Sequence, residues 1–395
     1  MSEMAEIGNV ASATKDGVKP DGEAPPNQPM AQAAQRPRLP SVFNGATTWT
    51  KERLSEALAT AMLLNPADEL NPIRELGRGT FGIVHSASWT TTHPAAASSG
   101  GTMQVAVKTL VSRPSDEKSL REFSMEVKLL AEMSHPNIIT VYGIMVGQDA
   151  YLSLVMEYMS GGSVFQILKA ARQGRATRPQ GVQMLRLLRD LARGMAHVHS
   201  RGVLHRDLKS LNLLLDATGT TLKVCDFGLS RRALMTAAMT RVGTVMWASP
   251  EILGGLAYSS LTDVWSFGVV LWEMATGCIP YEGMSSGEVV RNVVLHGLRL
   301  KPPGAHPIHC PLELIKLMAA SFSPVERRPT FHHIVHTLES IIDSVQADIE
   351  AGHAAADALA KPADAPGVTH TSGSTPPADT GGGSASMSFG AVFDE

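Results

Sequence analysis

"VLHRDLKSLNLLL", residues 203–215, sets a histidine, two cations, a carboxylate and a carboxamide between two apolar edges. Polar groups in such a frame are costly unless they are paired or put to use. Asp207 and Asn212 stand five residues apart, and Asp226 follows on the far side of a short hairpin in "LLLDATGTTLKVCDFG". Asn212 and Asp226 offer hard oxygen ligands of the kind magnesium takes while sharing its sphere with substrate phosphates. Asp207 suits the removal of a proton from an attacking hydroxyl, and Lys209 the neutralisation of charge on a transferred group. Taken singly, each is more readily a surface polar group.

Two features upstream bear on the same chemistry. "LGRGTFGIV" carries Gly77, Gly79 and Gly82, and glycines let a backbone come close to a phosphate. Alone the pattern is weak, since a turn between two strands explains it equally well. A dinucleotide fold would need a helix directly after the glycines and an acidic residue about 20 positions on. Strand-like "IVHSASW" follows instead, and position 102 is threonine. Lys108 lies within "VAVKTL", where a lysine is more often a snorkelling edge residue. Glu126, on the stripe adjoining the apolar face of the next predicted helix, could aim its ammonium at phosphate oxygens.

The chain has 395 residues, 44% hydrophobic and 18% charged, ordinary values for a globular protein. A formal net charge of −3 supplies no general reason to bind nucleic acid. Cys225, Cys278 and Cys310 are few and widely spaced, which fits a reducing compartment and no disulfide framework. The first residues lack the apolar core of a secretory signal, and no apolar run is long enough to span a membrane. A cytoplasmic address is expected, with the nucleus as the alternative.

Residues 1–47, rich in Ala, Pro, Gln and Gly, read as a disordered tail. Residues 48–70 read as a helical extension, with Leu54, Leu58, Ala61 and Met62 at helical spacing. Residues 71–345 form the patterned domain, and 346–395 read as mostly disordered, with "GSTPPADTGGGSAS" typical of the end. Within the domain "QVAVKTLV" and "YLSLVMEY" have strand composition. "SLREFSMEVKLLAEM" places Leu120, Phe123, Val127 and Leu130 at helical spacing. Strands crowd the front and helices the rear, the pattern of a small sheet-rich lobe followed by a larger helical one.

The glycine loop, strand lysine, helix glutamate, H-R-D-x-x-x-x-N and D-F-G occur once each and in this order. From Ile73 to about Leu338 the chain resembles a eukaryotic protein kinase domain of the serine/threonine type, most like the tyrosine-kinase-like group. The resemblance implies an α+β, two-lobed kinase fold: a small antiparallel β-sheet lobe with one regulatory helix, and a larger, mainly helical lobe. It implies ATP, with Mg2+ or alternatively Mn2+, and transfer of the γ-phosphoryl group to Ser or Thr of protein substrates. Leu76, Gly77, Arg78, Gly79, Thr80, Phe81, Gly82, Ile83 and Val84 would cover the nucleotide. Lys108, held by Glu126, would grip its α- and β-phosphates. Met156 matches the gatekeeper and Glu157 to Met159 the hinge. Val84, Ala106 and Leu214 would sandwich the base, and Ser163 would lie near the ribose. Asp207 matches the catalytic base, Lys209 the γ-phosphate cation, and Asn212 and Asp226 the metal ligands. Asp263 resembles the aspartate that anchors the catalytic loop, and Arg328 the arginine that pairs with Glu251.

Lysine two places after Asp207, with Thr244 in "VGTVMW", matches serine/threonine kinases. One departure is Ser249, which stands where the family's A-P-E has alanine. "TTTHPAAASSGG" lengthens the connection before the lysine strand and reads as a mobile surface loop. Thr240, ahead of Thr236, is the expected site of activating phosphorylation by an upstream kinase or by the chain itself, near Arg206, Arg231 and Arg232. Cys225 reads as a buried small hydrophobe in preference to a reactive thiol. His306, His309 and Cys310, like His332, His333 and His336, complete no recognised zinc pattern. The competing readings are a pseudokinase scaffold, a small-molecule kinase and a dual-specificity kinase; Lys108, Asp207 and Asp226 speak against the first, Pro250, Glu251 and Arg328 against the second.

Overall fold

The computed structural model describes residues 63–64, 69–78, 82–110, 120, 125, 127–128, 130–147, 151–226 and 245–360, the last seven by backbone alone. The expected disordered stretch at 1–47, the part of the expected tail 346–395 that follows residue 360, and the helical spacing at 54–62 lie outside them, as do Gly79, Thr80, Phe81, Phe123, Glu126, Arg231, Arg232, Thr236, Thr240 and Thr244.

Five strands make an antiparallel sheet: β1 (Glu69–Arg78), β2 (Gly82–Thr90), β3 (Thr102–Leu110), β4 (Val141–Val146) and β5 (Leu152–Glu157), ordered β1-β2-β3-β5-β4. The β-branched and apolar run of β3 fits its central position, between β2 and β5. Its register sets Ala106 opposite Met156 and Lys108 opposite Leu154. Gly82 opens β2 where the backbone passes so close to β3 that a Cβ would lie 2.3 Å from the Thr109 carbonyl oxygen, so no larger residue fits. Helical residues 120, 127 and 130 bury their side chains in the main core. At the front edge Leu63 bridges to Ile144 in parallel, and Leu64 N–H donates to the Ile144 carbonyl at 3.0 Å. The chain ahead of β1 thus ends as an extra rung on the sheet's β4 edge.

The stretch expected to be a mobile surface loop is largely exposed, and within it Pro94–Ser99 form a 3-10 turn. His93 Nδ1 accepts from Ala95 N–H, Pro94 starts the turn, and Gly100 closes it at φ 66°. Ala96 is fully buried, and the rings of His93, Trp89 and Tyr142 meet pairwise at 5.4–5.6 Å. Ala96 is thus the buried residue of an otherwise exposed turn.

A second, three-stranded sheet joins β6 (Gly162–Ser163), β7 (Leu213–Leu215) and β8 (Leu222–Val224). Around it run α1 (Val164–Arg172), α2 (Gly181–Ser200), α3 (Pro250–Leu253), α4 (Ser260–Thr276), α5 (Ser286–Leu295), α6 (Leu312–Ser321) and α7 (Phe331–Ala360). α4 is apolar on nearly every side, and Val264, Trp265, Phe267, Val269, Val270 and Leu271 are all fully buried. A helix apolar all round belongs in a core. Gly268 lets α6 press against it, since a Cβ there would meet Ser321 Cβ at 2.7 Å.

α7 continues to Ala360, past the boundary expected at 345. Ile341, Ile342 and Val345 are buried and Ile349 packs on the core, and the alanine-rich sequence that follows prolongs the helix by intrinsic propensity. Among the described residues no helix is long and apolar enough to cross a membrane.

The large lobe is locked by Arg328, whose side chain is 2% exposed. Its guanidinium donates to both Glu251 oxygens at 2.5 and 2.9 Å, to the Ser323 and Leu261 carbonyls at 3.0 Å, and lies over the Trp265 ring. Burial alone would raise the Glu251 carboxyl; the Arg328 hydrogen bond and charge outweigh it and hold the group below the ordinary glutamate value. A lowered folded value means that this stability is present above the unfolded value and is lost as pH falls through the folded one. Arg328→Ala should cost about 3–5 kcal/mol in denaturant unfolding, because it strands a largely buried carboxylate. It should also flatten the acid limb of stability against pH. A loss below about 1 kcal/mol, the level of a surface pair, would contradict this.

Candidate active site

The 203–215 segment turns back on α4. Asp263, 1% exposed, accepts His205 N–H (2.9 Å) and His199 Nε2 (2.9 Å) at Oδ2 and Arg206 N–H (3.0 Å) at Oδ1. Arg206 takes φ 66°, a left-handed conformation costing a non-glycine residue about 1–2 kcal/mol. The Asp263 bonds and the Tyr258 hydroxyl, which donates to the Arg206 carbonyl at 2.7 Å, hold it there. Burial pushes His205 down and keeps it neutral, although Asp263, Asp207 and Asp226 pull the other way. Its Nδ1 accepts from Asp207 N–H at 3.3 Å, so Nε2 carries the proton and donates to the Cys225 carbonyl at 3.2 Å. This neutral ring ties the strand before Asp226 to the loop that carries Asp207.

The chemistry-bearing side chains meet beyond this brace. Lys209 Nζ donates to both Asp207 oxygens at 2.9 and 2.7 Å. Asn212 Nδ2 donates to the Asp207 carbonyl at 2.8 Å and to its Oδ2 at 3.2 Å, which leaves Asn212 Oδ1 for a cation. Lys108, 5% exposed on β3, reaches Asp226 Oδ1 at 2.7 Å across the two sheets. Burial would raise the Asp226 carboxyl; the charge and hydrogen bond of Lys108 first, then the charge of Lys209, outweigh it and hold it below the usual range. Asp226 also has positive φ, 59°. An ionised carboxylate and an amide oxygen held by their neighbours are the donor set a hard divalent cation takes.

Ala106 and Met156, paired across β3 and β5, are buried in the main core, and Leu76 and Val84 are partly buried against that core. Met159, Ile139 and Cys225 form a small cluster with Leu214 against it. Gly77 and Arg78 close β1 and Ile83 is buried on β2; Arg78's guanidinium is bound at the surface by Glu75 at 2.9 Å. Cys225 is buried, and burial pushes its thiol well up, away from reactivity. Ser163 caps α1, its Oγ accepting from Gln166 N–H at 3.2 Å. Glu157 is bolted from behind: Lys223 Nζ reaches both its oxygens at 2.7 Å, and Thr140 exchanges backbone and side-chain bonds with it. Lys223 escaped the sequence reading, as did Ser210 and Trp247, which both bond buried Glu273. The one visible signal was a carboxylate in the apolar run "WSFGVVLWEMATG".

The family model for protein tyrosine and serine/threonine kinases matches residues 70–338, more than half of the chain. This chain belongs to that family. Human mitogen-activated protein kinase kinase kinase 11 is 36% identical over 286 residues, covering 69% of this chain and 31% of its own. The Arabidopsis thaliana serine/threonine-protein kinase CTR1 is 37% identical over 242 residues, 60% of this chain and 28% of its own. Both relatives are of the tyrosine-kinase-like type. The chain spans 17% to 40% of the length of the curated relatives it matches, so the alignment concerns the kinase domain.

Asp263→Ala should leave two loop amides without acceptors, at about 1–3 kcal/mol each. Unfolding measurements should show a loss of that order, with faster amide exchange at 205–206; Asp263→Asn should recover part of it. Unchanged exchange at those amides would show that something else holds the loop.

Proposed function

We propose that this kinase-family chain is a magnesium-dependent protein serine/threonine kinase that moves the γ-phosphoryl group of ATP to serine and threonine hydroxyls of protein substrates. The observation that carries the reading is the convergence of Lys108 with Asp226, beside the Asp207–Lys209–Asn212 group. Relatives named serine/threonine-protein kinases support the acceptor class.

In this reading Asp207 orients the acceptor hydroxyl and takes its proton at a carboxylate oxygen. Lys209, now paired with Asp207, turns toward the charge that builds on the transferred group. Lys108 grips the nucleotide phosphates. Asn212 Oδ1 and Asp226 would hold the divalent ion, which supplies charge neutralisation on the phosphate oxygens. Leu76, Val84, Ala106, Met156 and Leu214 shield the base, with backbone groups of Glu157 to Met159 along its edge and Ser163 by the ribose. The glycine loop from Gly77 to Gly82 covers the phosphates, and Glu126 aims Lys108. Catalysis of this kind consists of positioning and charge stabilisation, with little covalent work by the protein. The reading extends to intracellular signalling from a cytoplasmic location and to loop phosphorylation at Thr240 in preference to Thr236.

Purified full chain incubated with Mg-ATP and a generic basic protein should yield phosphoserine and phosphothreonine, mapped by mass spectrometry. Asp207→Asn should lower the rate by about 10²- to 10⁴-fold, the span of a general base, with nucleotide affinity retained. Full transfer by Asp207→Asn, or phosphotyrosine as the sole product, would overturn the assignment.

A further inference from the structure

α4 carries a second buried carboxylate besides Asp263. Glu273, about three turns further along, is 2% exposed, and its two oxygens are taken by two different loops. Ser210 Oγ donates to Oε1 at 2.9 Å and Trp247 Nε1 to Oε2 at 2.7 Å. Ser210 directly follows Lys209 and opens the 3-10 turn that ends at Asn212. Trp247 ends the turn Val245–Trp247, two residues before Ser249, the N-cap of α3. The same indole segment is held again by Ser266, whose hydroxyl donates to the Trp247 carbonyl at 2.9 Å.

Both donors to Glu273 are neutral. Among the described residues the charge acting on it from a neighbouring element is Arg172 of α1, whose guanidinium also donates to the Gly277 carbonyl at 3.0 Å. Burial therefore dominates and pushes the carboxyl up to about 7, against the hydrogen bonds of Trp247 and Ser210 and the charge of Arg172.

We infer that Glu273 is a positioning residue of the phosphotransfer site, which in its ionised form pins the catalytic loop through Ser210 and the loop ahead of α3 through Trp247. The two bonds respond differently to a proton. An indole N–H can only donate, so a proton cannot sit on Oε2 without expelling Trp247. A hydroxyl can donate or accept, so the proton goes to Oε1 and Ser210 turns from donor to acceptor. The grip on the catalytic loop changes, next to Lys209 and Asn212, while Trp247 stays bound. The folded-state value lies above that of an exposed glutamate, so Glu273's contribution to stability falls as pH rises from the ordinary glutamate range through about 7. Ionising the carboxylate as pH rises thus costs stability, in exchange for a charge-assisted hydrogen bond from each loop. In its catalytic part the inference rests on the kinase reading above.

The test compares the full chain with Glu273→Gln and Ser210→Ala. Glutamine keeps a carbonyl for Trp247 and gives Ser210 a donor, reproducing the protonated arrangement at every pH. Wild-type kcat should rise through a step near pH 7, while Glu273→Gln should be flat. Losing a charge-assisted hydrogen bond should set the variant about tenfold below wild type at about pH 8, and level with it at about pH 6, with KM for ATP unchanged. Ser210→Ala should lose the same step. Amide hydrogen exchange of residues 208–213, corrected for intrinsic rates, gives a readout independent of activity. It should be slower in wild type than in Glu273→Gln at the higher pH and equal at the lower. Equal exchange at both pH values, or a rate step that survives in Glu273→Gln, would overturn the inference whatever the activity. A wild-type chain that transfers no phosphate, yet whose loop exchange follows Glu273, would overturn the kinase reading and leave the linkage of the two loops standing.

Discussion

The geometry of the site depends on one buried carboxylate. Asp263 is carried on a helix packed on nearly all sides, and it accepts two consecutive backbone amides and an imidazole N–H. Those amides belong to the residues just before Asp207. A short polar loop would otherwise sample many conformations, and left-handed Arg206 would be unfavourable. Fixing two successive amides to a rigid core helix converts that loop into a platform, and neutral His205 extends it to the strand that carries Asp226.

Local bonds then determine what the platform presents. The Asp207–Lys209–Asn212 group is compact because a 3-10 turn folds the five-residue spacing back on itself. Lys108 comes from the other sheet, and its ion pair with Asp226 joins the lobes at the place where the phosphate chemistry is proposed. Among the described residues two cations, Lys108 and Lys209, are each paired with a carboxylate, Asp226 and Asp207. An incoming polyanion with a divalent cation would exchange these internal pairs for external ones.

Much of this was legible in the sequence because it is carried by short spacings. The interval from Asp207 to Asn212 and the hairpin to Asp226 are local, and the β-branched content of β3 announces a strand. Asp263 and the Arg328–Glu251 pair were accessible through resemblance, and the bonds found match it. Residues whose role depends on distant partners were not legible. Lys223 looks like any strand lysine until Glu157 is seen beside it, and Glu273 looks like a stray charge until Ser210 and Trp247 converge on it. Small residues at 94–99 suggested a loose loop, whereas His93 and Gly100 cap a 3-10 turn there with Ala96 buried. The sequence reading drew a domain boundary at 345, where apolar periodicity fades, while helix propensity carries α7 on to Ala360.

The central claim is that Asp226 and its neighbours form one metal-dependent nucleotide site. Calorimetric titration of the full chain with ADP, with and without magnesium, tests it most directly. The expected result is one saturable site per chain, tightened by magnesium, with the magnesium contribution lost in Asp226→Ala. A folded chain that takes up no nucleotide, or an undiminished magnesium effect in Asp226→Ala, would contradict it.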